Sequence, residues 1–316
     1  MHILITGASG FVGRAVVAQL QSPQCPPPLA GAALTLLDVN APAQPPPGCR
    51  IVMGSLDDAP VVQAAFAEPP DLILHLASIP GGMAEQQPAL GRAVNIDGTL
   101  RLLEAAQASG AQTGKPPRFV FASSIAALGG PLDAPVDDAT PLRPQMSYGA
   151  HKQIGEILVR DFARRGWIEG LSLRLPGIVA RPRVNTGQLS AFMSDVMHAL
   201  AAHEAYTCPV SPQATMWLMS AACVARNLLH AAAAPLVGDD NGLALTLPAL
   251  HLSMSDLVAA TAAEYAADPA LVDYAPNAVL EAMFGRYPPL ATPAAERLGF
   301  AHDGDARMLA LQALSP

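Results

Sequence analysis

Tyr148 and Lys152 stand four residues apart in the run Ser-Tyr-Gly-Ala-His-Lys, a spacing that places two side chains on one face of a helix. A nearby ammonium favours the phenolate and lowers the pKa of a tyrosine from its ordinary value of about 10. Such a pair can accept the proton of a substrate hydroxyl. The same spacing is also typical of a surface helix with a half-buried tyrosine, so the surrounding elements must decide between the two interpretations.

A glycine pattern near the start of the chain predicts a nucleotide-binding turn. Gly7, Gly10 and Gly13 follow a strand predicted at 2–6 and open a helix predicted to reach about Leu20. Strand, glycine turn and helix are typical of the opening of a dinucleotide-binding βαβ unit. Gly7 permits the tight turn, Gly10 lets the backbone approach a pyrophosphate, and Gly13 allows close packing of helix on strand. The helix N-terminus supplies N–H groups to the anion.

Asp38 ends the second predicted strand, at 33–37, and bears on the choice of nucleotide. A carboxylate at that strand end can accept hydrogen bonds from an adenosine ribose, whereas it would repel a 2′-phosphate. The sequence therefore predicts NAD rather than NADP as cofactor. The alternative is a loop aspartate that caps a turn.

Strands and helices alternate along the first part of the chain. Further strands are predicted at 51–53, 71–78, 118–122 and 171–175. A long helix is predicted between the strands at 71–78 and 118–122, from about Ala84 to Ser109, and it carries Asn95. This alternation predicts an α/β fold with a Rossmann-type, doubly wound parallel sheet. We interpret His75, in a buried strand, as a core histidine rather than an acid or base.

The chain is predicted to form two parts. Residues 1–180 are expected to be the NAD-binding domain, to which later segments can return, and 181–316 mainly a smaller mixed α/β lobe that binds the substrate. Helices are predicted in that lobe near 187–202, 219–233 and 253–267. A proline-containing loop of about twenty residues precedes Tyr148, a length that is typical of a functional loop.

Composition narrows the class of partner. The 316 residues are 51% hydrophobic and 14% charged, and the net charge is −8 without a basic stripe. This balance argues against nucleic acid and an anionic membrane surface as partners. Four scattered cysteines predict reduced thiols and no metal site. We expect a cytoplasmic protein, because the first residues read as a strand and no apolar run reaches about 20 residues.

The motifs in this order resemble the extended short-chain dehydrogenase/reductases, which include NAD-dependent epimerases and dehydratases. The segments 174–182, 207–210 and 216–220 are similar to the D-erythronate dehydrogenase branch. That resemblance implies an oxidoreductase that uses NAD to oxidise the 2-hydroxyl of a small anionic sugar acid. It also implies a homodimer formed through the helices predicted at 84–109 and 146–165.

The resemblance assigns roles residue by residue. Tyr148 would be the base, Lys152 would hold the nicotinamide ribose and activate the tyrosine, and Ser124 would hydrogen-bond the reacting oxygen. Gly129, five positions on, selects Ser124 over Ser123. Ser78 is expected near the substrate. The remaining positions that are expected to line the cofactor are Phe11, Val12, Ser55, Leu56, Ala77, Asn95, Ser123 and Ile178.

Two positions depart from the pattern of the related nucleotide-sugar epimerases. Gly177 occupies the place of an asparagine that contacts the diphosphate in those enzymes, which argues against a nucleoside-diphosphate sugar. Gly54 is followed by Ser55 where an acidic residue is usual, so the contact with adenine rests on a serine.

A sugar acid also needs a cation for its carboxylate, and arginine can bind both oxygens at once. The candidates are Arg143, Arg181 and Arg183, of which Arg181 is favoured. Arg174 is expected in a buried ion pair instead. Further candidate substrate contacts are Asn185, Thr215 and Trp217, the last of which is equally consistent with core packing.

Two other functions stay open. A sugar epimerase or dehydratase of the same family would use the same motifs, although Ile125 follows Ser124 where a dehydratase usually has an acidic residue. A protein that binds NAD without turnover is the third interpretation. The presence of both Tyr148 and Lys152 argues against it.

Overall fold

The computed structural model describes residues 1–132, 135–183, 189–236 and 240–314, which form two compact units. The first unit comprises Met1–Ala127, Pro144–Arg174 and Ala225–Leu245. The second unit comprises Leu128–Arg143, Leu175–Val224 and Thr246–Pro316. Each unit is therefore assembled from separate stretches of chain.

The first unit is organised around a seven-stranded sheet of order β10-β6-β5-β4-β1-β2-β3. Its strands are β1 (His2–Thr6), β2 (Ala33–Asp38), β3 (Arg50–Met53), β4 (Leu72–His75), β5 (Arg118–Ser124), β6 (Glu169–Leu175) and β10 (Ala244–Thr246). The pairs β1–β2, β1–β4, β2–β3 and β4–β5 are parallel. The order reverses at β1, and the predicted doubly wound sheet is confirmed. Ligands of such sheets bind where the order reverses, at the carboxyl ends of the strands.

The central strands of this sheet are buried on both faces, as is typical of parallel strands between helices. All five residues of β1 are buried. Leu4 and Ile73 from neighbouring strands pack with Phe119 and Phe121 of β5 in one apolar core. This rigid core holds the carboxyl ends of β1, β4 and β5 at one edge of the sheet.

Helices flank the sheet. They are α1 (Phe11–Leu20), α2 (Ala59–Ala65), α3 (Gly81–Gln86), α4 (Pro88–Arg92), α5 (Gly98–Thr113), α6 (Ser147–Arg164) and α8 (Ala221–Ala233). Among the described residues, no helix has both the length and the apolar composition needed to cross a membrane.

The prediction of one continuous helix from 84 to 109 is wrong. The chain is helical in α3, breaks at Gln87 (φ −128°, ψ 71°), and resumes in α4. Pro88 explains the break, because a proline disfavours helical backbone in the residue before it. A π-helical turn at Ala93–Asp97 then leads into α5. Such turns are frequent at functional sites, and this one carries Asn95.

The second unit contains a three-stranded sheet and a two-stranded sheet. The strands are β7 (Gly177–Val179), β8 (Tyr206–Cys208), β9 (Thr215–Ser220), β11 (Leu250–Ser253) and β12 (Val272–Tyr274). Their orders are β11-β9-β7 and β12-β8. The helices are α7 (Phe192–Ala201), α9 (Met254–Glu264), α10 (Ala278–Phe284), α11 (Pro293–Arg297) and α12 (Ala306–Leu314). Residues such as Val196, Met216, Leu257 and Leu309 form its apolar core.

Candidate active site

The glycine turn after β1 is packed too closely to accept side chains. Gly7 has a φ of +71°, and a Cβ on it would lie 2.7 Å from the backbone nitrogen of Ala77. A Cβ on Gly13 would lie 2.1 Å from the carbonyl oxygen of Gly7. Gly10 is exposed and immediately precedes α1, whose first residues, Phe11 and Val12, are half-buried. The backbone before α1, which carries no side chain at Gly10, fits a pyrophosphate, because the N-terminus of a helix favours an anion.

Asp38 is fixed beside that turn at the end of β2. Its two carboxylate oxygens accept hydrogen bonds from the backbone N–H groups of Ser9, at 2.9 Å, and Asn40, at 3.0 Å. The side chain therefore does cap a turn, and the cap holds the carboxylate next to the glycine loop. A carboxylate has further lone pairs, so it can still accept hydrogen bonds from a ribose.

Asn95 holds the loop that follows β4. The Asn95 Oδ1 atom accepts hydrogen bonds from the Ile79 N–H, at 2.7 Å, and from the Ser78 hydroxyl, at 3.2 Å. Its Nδ2 donates to the Ile79 carbonyl at 3.0 Å and lies 3.4 Å from His151 Nδ1. Asn95 thus clamps the segment after β4, on which Ala77 and Ser78 lie half-buried.

His75 is a core residue, as predicted. It is fully buried, its Nδ1 lies 2.8 Å from the Thr6 hydroxyl, and its Nε2 lies 2.9 Å from the Thr99 hydroxyl. Thr99 donates to the Asn95 carbonyl, so it must accept from His75 Nε2–H. Burial, and secondly Lys152, lower the pKa of His75 to about 3. The neutral ring therefore joins β1 and β4 to the start of α5.

Ser55 and Leu56 follow β3. Ser55 is half-buried, whereas Leu56 is buried and its carbonyl oxygen accepts a hydrogen bond from Arg101 Nη1 at 2.8 Å. The backbone of this turn is therefore tied to α5, while the Ser55 side chain keeps partial access to solvent.

The α6 helix carries Tyr148 in its first turn and Lys152 one turn later, as the spacing predicts. Lys152 is 3% exposed, and its Nζ atom donates to the carbonyl oxygen of Ala122 at 2.8 Å. The same atom lies 5.5 Å from the ring centre of Tyr148 and 4.8 Å from that of Phe121. Burial lowers the pKa of Lys152 to about 7, against the attraction of Glu156, which raises it.

Ser124 lies at the end of β5, half-buried, and its hydroxyl oxygen accepts a hydrogen bond from the Ala126 N–H at 3.1 Å. The α6 helix is pressed against the turn that follows. A Cβ on Gly149 would lie 2.2 Å from the Ala126 carbonyl oxygen, and a Cβ on Gly155 would lie 2.5 Å from Phe121 Cζ. These two glycines let the Tyr148 and Lys152 face of α6 approach the strand end that carries Ser124.

Ser123 has a buried structural partner that sequence reasoning missed. Its hydroxyl donates to Glu156 Oε1 at 2.5 Å. Arg174 binds the same carboxylate with both Nε, at 2.9 Å, and Nη2, at 2.7 Å, which confirms the predicted buried ion pair. The signal for Glu156 was its position four residues after Lys152 on the same helix.

Two candidate arginines of the second unit have different surroundings. Arg181 is half-buried, and its Nε donates to the Ile178 carbonyl at 3.3 Å. Arg183 is exposed and its Nη1 lies 2.7 Å from a carboxylate oxygen of Glu204. Arg143, also in the second unit, is exposed. Arg183 therefore takes part in a surface ion pair, whereas the Arg181 side chain is held against the backbone of β7.

The remaining candidates of the second unit are mostly buried. Trp217 is 1% exposed, stacks on Tyr287 at 4.8 Å between ring centres, and donates through Nε1 to the Pro288 carbonyl. This environment favours the core-packing alternative for Trp217, because its ring stacks on Tyr287 and its N–H donates to the Pro288 carbonyl. Thr215 donates to the Tyr287 carbonyl at 2.8 Å, and Ile178 is buried in β7. Asn185 lies outside the described residues.

Taken together, the first unit brings the predicted glycine turn, acidic strand end and helical Tyr148–Lys152 pair to the carboxyl ends of its parallel strands. A buried ammonium near a tyrosine favours the phenolate and thereby a base for a hydroxyl proton. The glycine turn and Asp38 suit a dinucleotide with a free ribose. The arrangement is suited to removing a proton while a bound dinucleotide takes part in redox chemistry.

Comparison with known proteins agrees with this chemistry. Residues 3–241 match the NAD dependent epimerase/dehydratase family. The chain is 36% identical to a D-erythronate dehydrogenase of Cupriavidus necator, over 82% of this chain and 81% of that protein. It is 31% identical to a D-erythronate dehydrogenase of Haemophilus influenzae, over 82% and 80%. A nucleoside-diphosphate-sugar epimerase from Agrobacterium tumefaciens has a similar structure, with a TM-score of 0.89, 29% identity and coverage of 98% and 92%.

Proposed function

The chain belongs to the NAD dependent epimerase/dehydratase family, and on that premise we propose that it oxidises the 2-hydroxyl of a small sugar acid, such as D-erythronate, to the 2-keto acid with NAD. The relatives named above support the substrate class. The observation that carries the proposal is the buried Lys152 ammonium beside the Tyr148 ring at the end of β5. We further propose that the enzyme works in the cytoplasm as a homodimer.

In the proposed reaction, Tyr148 accepts the proton of the substrate hydroxyl. Lys152, anchored by the Ala122 carbonyl, favours the phenolate form of the tyrosine. Ser124 hydrogen-bonds the reacting oxygen and holds it towards Tyr148. Bound NAD supplies the acceptor for the hydride that leaves the carbon. Proton and hydride leave together, so the alcohol becomes a ketone and no further reactant is needed.

Several residues would hold NAD. The backbone between Gly7 and Gly13 would receive the pyrophosphate, Asp38 the adenosine ribose, and Lys152 the nicotinamide ribose. Asn95 would act through the segment it clamps, which carries Ala77 and Ser78. The Ser123 hydroxyl is already bonded to Glu156, so Ser123 would contribute through its backbone. The carboxylate of Asp38 disfavours a 2′-phosphate and supports NAD over NADP.

We propose that Arg181 binds the carboxylate of the substrate. Its planar guanidinium can bind two carboxylate oxygens at once. Arg183 offers a matched control, because its guanidinium is paired with Glu204 at the surface. Arg181→Gln should raise KM for the sugar acid about tenfold or more, as expected for loss of a charged hydrogen bond. Arg183→Gln should leave that KM within about twofold, and the reverse pattern would reject Arg181.

The proposal is tested by the absorbance of reduced NAD with a panel of four- and five-carbon sugar acids, including D-erythronate and L-threonate, and with the free sugars. NAD reduction by one sugar acid alone is the expected result. A panel with no signal, from protein that binds NAD in calorimetry, would contradict the dehydrogenase.

An epimerase or dehydratase is the second candidate, favoured by the structural similarity to the nucleotide-sugar epimerase. Such an enzyme regenerates its cofactor and gives no net NAD reduction. Gly177 stands where the related epimerases carry an asparagine, which argues against a nucleotide sugar. Chromatographic analysis of sugars and sugar acids after incubation with the NAD-loaded protein would detect an isomerised or dehydrated product.

A further inference from the structure

Glu156 extends the helical stripe of Tyr148 and Lys152 by another four residues, and the proposed reaction does not use it. Its side chain is 4% exposed. Glutamate is rarely buried to this degree unless its charge is paired. A buried carboxylate one helical turn from a buried ammonium therefore points to a role at this site.

Hydrogen bonds from Ser123 and Arg174 fix the Glu156 carboxylate. Ser123 donates to Oε1 at 2.5 Å, Arg174 Nε donates to Oε1 at 2.9 Å, and Arg174 Nη2 donates to Oε2 at 2.7 Å. The arginine comes from β6 and the serine from β5, so the carboxylate ties α6 to two neighbouring strands. Bidentate pairs of this kind are both strong and geometrically specific.

The α6 helix consequently holds two successive residues of β5. Lys152 binds the carbonyl oxygen of Ala122, and Glu156 binds the hydroxyl of Ser123. The next residue of the strand is Ser124, which is proposed to contact the reacting oxygen. A shift of the Glu156 side chain would therefore change the positions of both Ser124 and Lys152.

Charge is the second link between Glu156 and the site. The ionisable side chains that face Lys152, from its own helix and from the strands beneath, are Tyr148, His151, Glu156, His75 and, behind Glu156, Arg174. Burial makes the proton-free form of His75 dominant by lowering its pKa to about 3, and it also lowers the pKa of His151. Glu156 is the group whose charge opposes the desolvation of Lys152.

We propose that Glu156 is a positioning residue for this reaction. It keeps the end of β5 in register with α6 through Ser123, and its negative charge maintains the Lys152 ammonium on which the ionisation of Tyr148 depends. That the ionised Tyr148 serves as the base for the substrate hydroxyl rests on the proposed function. The link from Glu156 to Tyr148 exists without any substrate and can be measured alone.

The test is an ultraviolet difference titration of tyrosinate in protein without substrate, from which the titration of Tyr148→Phe is subtracted. Glu156→Gln should raise the midpoint of Tyr148 ionisation by roughly one pH unit, because Lys152 loses the carboxylate that favours its ammonium form, and that ammonium favours the phenolate. Glu156→Asp keeps the charge but withdraws it by one methylene, so its midpoint should rise by less. Ser123→Ala removes the hydrogen bond to β5 but keeps the Glu156 charge and its ion pair with Arg174, so its midpoint should rise by less than that of Glu156→Gln.

Thermal unfolding of each variant separates this role from a purely structural one. A lower Tm with an unmoved Tyr148 midpoint is the behaviour of a structural ion pair and would overturn the proposal. If Glu156→Gln does not fold, Glu156→Asp decides in the same way, because its midpoint must still rise. Turnover does not enter the test, so failure of the sugar-acid panel rejects the proposed function only. If the enzyme oxidises a sugar acid but the Tyr148 midpoint is unchanged in Glu156→Gln and Glu156→Asp, only the positioning role of Glu156 is rejected.

Discussion

Gly149 and Ala126 are in closer contact than any other residue type at position 149 would allow, since a Cβ there would lie 2.2 Å from the Ala126 carbonyl oxygen. Gly149 immediately follows Tyr148, and Ala126 follows Ser124 by two residues. This contact sets the distance between the helix that carries the proposed base and the strand end that carries its proposed partner.

Gly149→Ala should therefore move the start of α6, which carries Tyr148, away from the end of β5, which carries Ser124. Overpacking of this kind costs about 1–3 kcal/mol of stability, and a displacement near 1 Å at a catalytic group lowers the rate by about a hundredfold. We expect kcat to fall by at least about tenfold while the protein remains folded. Gln153→Ala, on the same helix, is the matched control and should keep kcat within about twofold. Wild-type kcat in Gly149→Ala would show that this contact does not position the site.

Tyr148→Phe tests the base. The substitution keeps the ring and removes the hydroxyl that is proposed to accept the proton. We expect kcat to fall by about 10²–10⁴-fold, the typical contribution of general base catalysis. The dissociation constant for NAD, measured by calorimetry, should change by less than about threefold. Turnover at the wild-type rate would assign the base to another residue.

Asp38 tests the choice of nucleotide. Loss of a hydrogen bond to a charged group costs about 1.5–3 kcal/mol, so Asp38→Asn should weaken NAD binding by about 10–100-fold. The amide oxygen can still accept one backbone N–H of the turn, which protects the loop. The same variant should lose its discrimination against NADP, because the negative charge is gone. The control is Asp58→Ala, because Asp58 is exposed, precedes α2 and makes no capping hydrogen bond with its side chain. This variant should bind NAD like the wild type.

Because His75 is buried, the free energy of unfolding should depend on pH. Its pKa is about 3 in the folded protein, because of burial and then Lys152, whereas an unfolded histidine titrates near 6.5. Between those values the unfolded chain binds more protons, so the free energy of unfolding must decrease as pH falls from 6.5 towards 3. Urea unfolding at a series of pH values should show a shallower decrease for His75→Gln. His251→Gln, which removes an exposed imidazole, should retain the wild-type slope.

The homodimer is tested on the outer face of α6. Ile157 is 58% exposed and Ile154 is 37% exposed, which is unusual for a helix of which the other face packs on a sheet. Light scattering should give twice the chain mass of 32.6 kDa. Ile157→Glu should shift the protein towards the single-chain mass, whereas Met308→Glu, on α12, should not. A single-chain mass for the wild type would exclude the homodimer.

The sequence by itself determined the parts of this protein that depend on local pattern. The strand–glycine–helix opening, the alternation of strands and helices, and the Tyr148–Lys152 spacing each involve residues close in the chain. Backbone geometry then dictates their arrangement with little reference to the rest of the fold. Even the Arg174 ion pair was predictable, because an arginine in an apolar strand requires a counter-charge.

The tertiary structure decided what depends on partners far apart in sequence. His75 meets Thr6 across 69 residues, and Ser123 meets Glu156 across 33. Trp217 became a core residue because Tyr287 and Pro288 cover it. One proline also divided a helix that periodicity alone would continue. Hydrogen bonds and packing between distant segments depend on how the whole chain folds, and a single sequence does not state which buried polar groups will meet.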